Sequence, residues 1–294
     1  MLILIGTLKS GTIKQLWQEE MGIGCDLIIC AMSSRRFEFL LQVIHFDDHQ
    51  TRQERKSKDK FCHIRELFER IVNNFQKYYT PTECMTIDEQ LLSFRGRCSF
   101  KQYIPSKPAK YGIKTWALVD SETFYTYNLE TYVGTQNSLR FQKSNKPEDV
   151  VLRLVEPIKK SGRNITADNW FTSIPLIEKL TKLELSYVGT IRKNKRELPI
   201  EFKSNSKREI FSSLFGFYQL TSNLDIALVS YVPKKTRRFC WFQHSTMKPK
   251  LTKRAKTKKS LPSLHSTIRT KLVSMLLTSF VVITTADVVQ NVGQ

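Results

Sequence analysis

Met85-Thr86-Ile87-Asp88-Glu89-Gln90-Leu91-Leu92-Ser93-Phe94 reads as a strand with a carboxylate in its interior, and the elements around it set the fold class. Character changes just upstream, at Thr80-Pro81, from helical to strand-rich sequence. Downstream, Gly112 to Val119 is rich in β-formers, Asp120-Ser121 signals a turn, and Phe124 to Val133 resumes with aromatic and β-branched residues, which predicts a hairpin. Pro147-Glu148 opens a short helix with Val151, Leu154 and Val155 inward, and Arg163 to Ala167 reads as a short strand. Thr172 or Ser173 caps a helix through about Leu183, with Pro175 tolerated in its first turn. Leu185 to Ile191 and Leu224 to Val232 are further strands. Three strands, helix, strand, helix, strand is the order of a mixed α/β (α+β) domain.

The first eighty residues read as helical. Ser33 or Ser34 caps a helix whose apolar stripe is Phe37, Leu40, Leu41 and Ile44. A second stripe, Ile64, Leu67, Phe68, Ile71, Val72 and Phe75, falls on one helical face. Both are core-facing patterns. The mixed-charge stretch between them, Asp48 to Lys60, reads as a loop.

The chain has 294 residues, a length that points to about two domains. With 40% apolar and 11% aromatic residues it can bury a core, which excludes wholesale disorder. Against 27 Asp+Glu stand 47 Lys+Arg, a net charge of +20. Such a surplus favours a polyanionic partner, because neutralised phosphates release counterions. From Thr236 onward there are 11 basic residues and one acid, Asp287, so composition shifts near Thr236. Six scattered cysteines contain no C-x-x-C pair, which speaks against a zinc knuckle or a disulfide framework and for reduced, mostly buried thiols. Met1 to Ile5 has no basic region or cleavage site of a signal peptide. The uncharged run Leu272 to Ala286 falls short of the ~20 apolar residues of a membrane span.

Metal-dependent phosphodiester cleavage needs carboxylates that hold divalent ions ~4 Å apart, on rigid strand ends or helix starts. Hard oxygen ligands suit Mg²⁺ or Mn²⁺. Asp88, within the first strand, and Asp168, at the end of Asn164-Ile165-Thr166-Ala167-Asp168, fit if their strands lie side by side. Spacing alone leaves the alternative open, since an aspartate at a strand end commonly caps a turn or helix.

The wording around these acids is specific. Met85-Thr86-Ile87-Asp88-Glu89-Gln90-Leu91, Phe94-Arg95-Gly96-Arg97-Cys98 and Ile104-Pro105-Ser106-Lys107-Pro108-Ala109-Lys110-Tyr111-Gly112-Ile113-Lys114 together resemble the first catalytic block of piggyBac-type transposases. Asn164 through Ser173, by way of Asp168-Asn169-Trp170-Phe171, resembles the second block. Val188-Gly189-Thr190-Ile191-Arg192, Asn194-Lys195-Arg196 and Leu228-Val229-Ser230-Tyr231 continue the match in order, so that it runs from near residue 5 to about 235. The resemblance implies an RNase H-like core, a triad of aspartates, Mg²⁺ or Mn²⁺, DNA as partner and a nuclear location. It makes Asp88 and Asp168 the first two metal ligands and catalytic acids. Arg95, Arg97, Lys101, Lys107, Lys110 and Lys114 become candidate phosphate contacts, with a solvated basic loop as the alternative. Trp170 and Phe171 read as core rather than as base-stacking residues.

The resemblance also sets the expected division: a partial helical dimerisation and DNA-binding region at 1–82, the RNase H-like core at 83–193 without its closing helix, the start of a β insertion at 194–235, and an irregular basic tail at 236–294. A homodimer is compatible with it; a membrane or a small-molecule substrate is not indicated. Members of this family carry a third aspartate in a Gly-Gly-Val-Asp-like segment, which this sequence lacks. Ser274 to Phe280 can be encoded by bases that read Val-Asp-Ala-Val-Asp-Lys-Leu in another frame, so the tail reads as frame-shifted. Three readings follow: a degenerate transposase with residual DNA binding; an active recombinase that recruits another third acid, Asp225 or Glu197; and a non-enzymatic DNA- or chromatin-binding protein.

Overall fold

The computed structural model describes residues 1–8, 13–18, 24–136, 138–192, 195–199, 202, 213–221, 224–234 and 237–244. Five short helices come first: α1 (Leu2–Thr7), α2 (Asp26–Ala31), α3 (Ser34–Val43), α4 (Arg52–Lys58) and α5 (Arg65–Lys77). Ser33 caps α3 by accepting the Arg36 N–H at 3.3 Å, and Phe37 and Leu41 are the buried part of its stripe. In α5 the buried residue is Val72, whereas Ile64 and Ile71 are exposed, so the apolar face that packs is narrower than the sequence pattern.

The stretch read as a loop contains α4. That helix buries no residue, so no apolar period marks it. Charge holds it instead: Arg52 and Arg55 both donate to Asp47, at 2.6 and 3.0 Å, and Lys58 pairs with Glu54 one turn back. Behind it, Asp59 is 3% exposed and accepts from Arg65, the Phe61 N–H and Gln136 Nε2. Because Gln136 lies beyond the central hairpin, Asp59 fastens the helical region to the sheet.

The sheet is built from β1 (Cys84–Ser93), β2 (Gln102–Tyr103), β3 (Tyr111–Asp120), β4 (Thr126–Thr131), β5 (Asn164–Ala167), β6 (Ser186–Thr190), β7 (Ser213–Thr221), β8 (Leu224–Lys234) and β9 (Arg237–His244). Their order is β2-β3-β1-β5-β6-β9-β8-β7, with β4 also on β3. β3 runs antiparallel to β1, while β5 and β6 follow β1 in parallel. Parallel neighbours need crossovers, supplied by α6 (Pro147–Val155) and α7 (Ile174–Lys182). An antiparallel hairpin beside a parallel pair, with crossover helices, is the RNase H-like arrangement and a mixed α/β fold.

The core lies between the sheet and α6 and α7. Met85, Ile87, Leu118, Ile165 and Tyr187 meet Val150, Leu154, Leu176, Ile177 and Leu180, all at most 1% exposed. Burial at ~25 cal/mol per Å² makes this cluster the main source of stability. Asn128 Nδ2 donates to the Leu154 carbonyl at 2.8 Å, and Arg153 makes a two-pronged contact with Glu130, so α6 is fixed on β4 by polar contacts as well.

Regular structure does not stop near Thr236. β9 enters between β6 and β8, antiparallel to both, so residues 237–244 belong to the sheet and not to an irregular tail. Its Phe239, Trp241 and Phe242 are strand-forming types inside a basic stretch. Positions 245–294, including Leu272 to Ala286 and the frame-shift reading, lie outside the described residues. Among the described residues no helix is long and apolar enough to cross a membrane. Five of the cysteines are less buried than expected: Cys25, Cys62, Cys84 and Cys98 are half-buried and Cys30 is exposed, because each of these sits on an outer helix, a loop or the first residue of a strand.

Candidate metal centre and nucleic-acid interface

β1 and β5 pair in parallel, with Ile87 opposite Ala167 as the last matched couple. The next residue in each case is an aspartate, Asp88 within β1 and Asp168 directly past the end of β5. Asp88 and Asp168 therefore stand on neighbouring strands about 4.8 Å apart in backbone spacing, on one face of the sheet. Ile87 and Ala167 turn into the core, so strand alternation turns both acids to the opposite face.

Asp88 is half-buried, opposite Ala117 of β3. Burial pushes its carboxyl above the usual carboxylate range, only partly offset by the Glu89 N–H, which donates to Oδ1 at 2.7 Å, and by the nearby Lys107 ammonium; the Asp168 charge adds to the upward push. Asp168 is exposed. Its Oδ1 accepts the Asn169 N–H at 2.6 Å and the Thr190 hydroxyl at 3.3 Å. The helix after it is capped by Ser173, whose Oγ accepts the Leu176 N–H at 3.3 Å. The Asp168 carboxylate is thus not spent on capping. Neither aspartate enters an ion pair among the described residues.

Thr190, Asn169 and Arg192 complete the surroundings of Asp168, and sequence reading gave them no role. Arg192 Nε donates to Asn169 Oδ1 at 3.1 Å. Thr190 is 22 residues from Asp168 and arrives because Ala167 pairs with Gly189. The signal that could have found it is its place at the end of the next parallel strand.

The six candidate phosphate contacts separate into two groups. Arg95, Arg97 and Lys110 are exposed and have no acid partner among the described residues. The other three are engaged. Lys101 Nζ donates to the Gly96 carbonyl at 3.1 Å, and Lys107 Nζ to the Glu89 carbonyl at 2.9 Å. Lys114 Nζ is 2.6 Å from Glu89 Oε2 and within 5.1–5.8 Å of the ring centres of Trp116, Tyr132 and Trp170. Phe171 is core, at 2% exposure, and Trp170 is partly buried against it.

Two hard carboxylates, neither in an ion pair among the described residues, suit a divalent ion such as Mg²⁺ or Mn²⁺. Asp88 and Asp168 are the residues that would hold it, and it would supply charge stabilisation to a phosphate oxygen. Among the described residues no three His, Cys, Asp or Glu side chains come together as a metal site. Asp225, on β8, pairs with Gln219 of β7 and is four residues from Val229, which is level with Trp241 and Thr190. That puts it about 13 Å along the strands from Asp168, besides three strands across. Glu197 lies in a turn seven residues past Thr190. A cavity of about 240 Å³ between α5, β4 and α6, lined by Phe68, Val72, Glu130 and Arg153, is apart from the aspartates.

Three comparisons bear on this arrangement. A family model described as Transposase IS4 matches residues 1–274. The human piggyBac transposable element-derived protein 3 is 24% identical over 184 residues, 62% of this chain and 30% of that protein. The human piggyBac transposable element-derived protein 2 is 27% identical over 203 residues, 67% of this chain and 33% of that protein. The chain thus spans about a third of the length of these relatives. The cryo-EM structure of a piggyBac transposase synaptic complex with hairpin DNA superposes with a TM-score of 0.71 at 32% identity, over 98% of this chain and 55% of that one. With the parallel strands that bring Asp88 beside Asp168, these matches establish that the chain belongs to the Transposase IS4 family and is a piggyBac-type transposase-like protein.

Proposed function

We propose that this chain binds DNA through the basic surface beside the aspartate pair, holds one divalent ion weakly, and does not cleave DNA by itself. The observation that carries the reading is the site's composition: two adjacent carboxylates, no third among the described residues, and a strongly basic arm extending from them. In-line displacement needs both the attacking and the leaving oxygen stabilised. A misplaced or missing ion is costly, because small errors in geometry cost orders of magnitude in rate. DNA binding depends on none of this. It needs cations near phosphates, and the net charge of +20 supplies them. The similarity to a transposase solved with hairpin DNA supports DNA as the partner, and the family resemblance is what the proposed nuclear location rests on.

The experiment is a nicking assay on supercoiled plasmid with Mn²⁺, using the whole chain and Asp88→Ala. The expected result is DNA binding without nicking in either protein. Nicking that Asp88→Ala abolishes would overturn the reading.

A further inference from the structure

The strands that carry Asp88 continue past it into an arm. Between Glu89 and Asp120 lie thirty residues with six cations, Arg95, Arg97, Lys101, Lys107, Lys110 and Lys114, and no acid. β1 and β3 pair along this stretch, and β2 adds a third strand at its tip. There Tyr103 is matched with Tyr111. Their ring centres are 4.7 Å apart, and the residues are 56% and 50% exposed.

A cross-strand aromatic pair can simply stabilise a sheet. Here two observations go further. Tyr111 is six residues from Ala117, the partner of Asp88, and an even spacing keeps side chains on one face. The two rings therefore share the face of Asp88 and Asp168. In addition, the loops flanking the rings carry Arg95, Arg97 and Lys110, exposed and without acid partners among the described residues. Exposed aromatic rings amid unpaired cations and no acids are complementary to a polyanion that can present flat, apolar bases.

We propose that Tyr103 and Tyr111 form a stacking platform for unpaired nucleotides of DNA, at the far end of the basic arm from the aspartates. This rests on the DNA-binding reading above and specifies the form of DNA that the arm takes. Base-paired DNA hides its base faces within the stack, whereas an unpaired strand presents them to both rings. Six residues of strand span about 20 Å, a length matched by roughly six nucleotides of a stacked strand at about 3.4 Å each.

The test is fluorescence anisotropy with the whole chain at fixed salt, using a labelled oligothymidylate of about twenty nucleotides and a duplex of the same length. Tyr103→Leu/Tyr111→Leu should weaken single-strand binding at least about tenfold and change duplex binding less than about threefold. Tyr103→Phe/Tyr111→Phe should bind the single strand within about threefold of wild type, because stacking uses the ring and not the hydroxyl. Wild-type single-strand affinity in the leucine pair would overturn the platform and leave DNA binding standing. An equal loss of single-strand and duplex binding, or a phenylalanine pair as weak as the leucine pair, would overturn it too. A wild-type chain that binds neither probe would remove the DNA-binding reading itself, before any substitution is compared.

Discussion

Lys114 Nζ lies 2.6 Å from Glu89 Oε2, in a box of three aromatic rings, and so joins the strand of Asp88 to the segment of Asp168. Glu89 follows Asp88 directly, and Trp170 is two residues past Asp168. Lys114→Met removes the ion pair and the cation–π interactions while keeping much of the aliphatic packing, and leaves Glu89 partly buried and unpaired. Expected is a loss of about 2 kcal/mol, read by urea denaturation. Wild-type stability in that variant would show the box to be decorative.

The division of the basic residues has its own signature. Replacing Arg95, Arg97 and Lys110 together by Gln should lower the slope of log K against log salt for duplex DNA by roughly 3, about 0.9 for each phosphate no longer neutralised. Lys101→Gln should leave that slope within error, because its ammonium is held by the Gly96 carbonyl.

Asp59 makes stability depend on pH. Burial alone would raise its carboxyl, but Arg65, the Phe61 N–H and Gln136 outweigh burial and hold it below the usual range. A lowered folded-state value means stability that is present above the unfolded value of about 3.9 and lost as pH falls through the folded value. Asp59→Asn should cost about 3 kcal/mol at pH 7, since it leaves Arg65 without its main partner. The gap between wild type and variant should shrink below about pH 4. A gap that stays constant down to pH 3 would refute the linkage.

A Mn²⁺ titration followed by electron paramagnetic resonance should show one weak site per chain that disappears in Asp168→Asn. A second site that vanishes with the same substitution would mean that an acid outside the described residues joins the pair.

Gly112 marks the close approach of β3 to β1. A methyl group there would run into the Leu92 carbonyl oxygen, which is backbone and cannot move aside. Gly112→Ala should cost about 2 kcal/mol or more and weaken single-strand DNA binding along with stability, since it disturbs the strand that carries Tyr111.

Much of this was legible in the residues. The strand around Asp88, the hairpin at Asp120, the Ser173 cap and the short strand before Asp168 follow from local chemistry, and the two acid blocks carry the family resemblance. What stayed hidden depends on pairing across distance or lacks a periodic signal. α4 is charged on all sides, so nothing marks it. β2 has two residues, too short for any pattern. Arg237 to His244 was overshadowed by the basic composition around it, although its aromatic residues favour a strand. The ion pair of Lys114 stayed hidden because its partner, Glu89, is 25 positions away and meets it only through strand register.

The seating of β9 has a consequence for any shortened form of the protein. It contributes the only neighbour that β6 has on its outer side among the described residues. A product that stops at Thr236 would leave the β6 backbone with a row of unanswered N–H and C=O groups, a ready template for another chain. Such a product should come out of the cell as aggregate, and ribosomes must pass residue 244 before this margin of the sheet is safe from self-association.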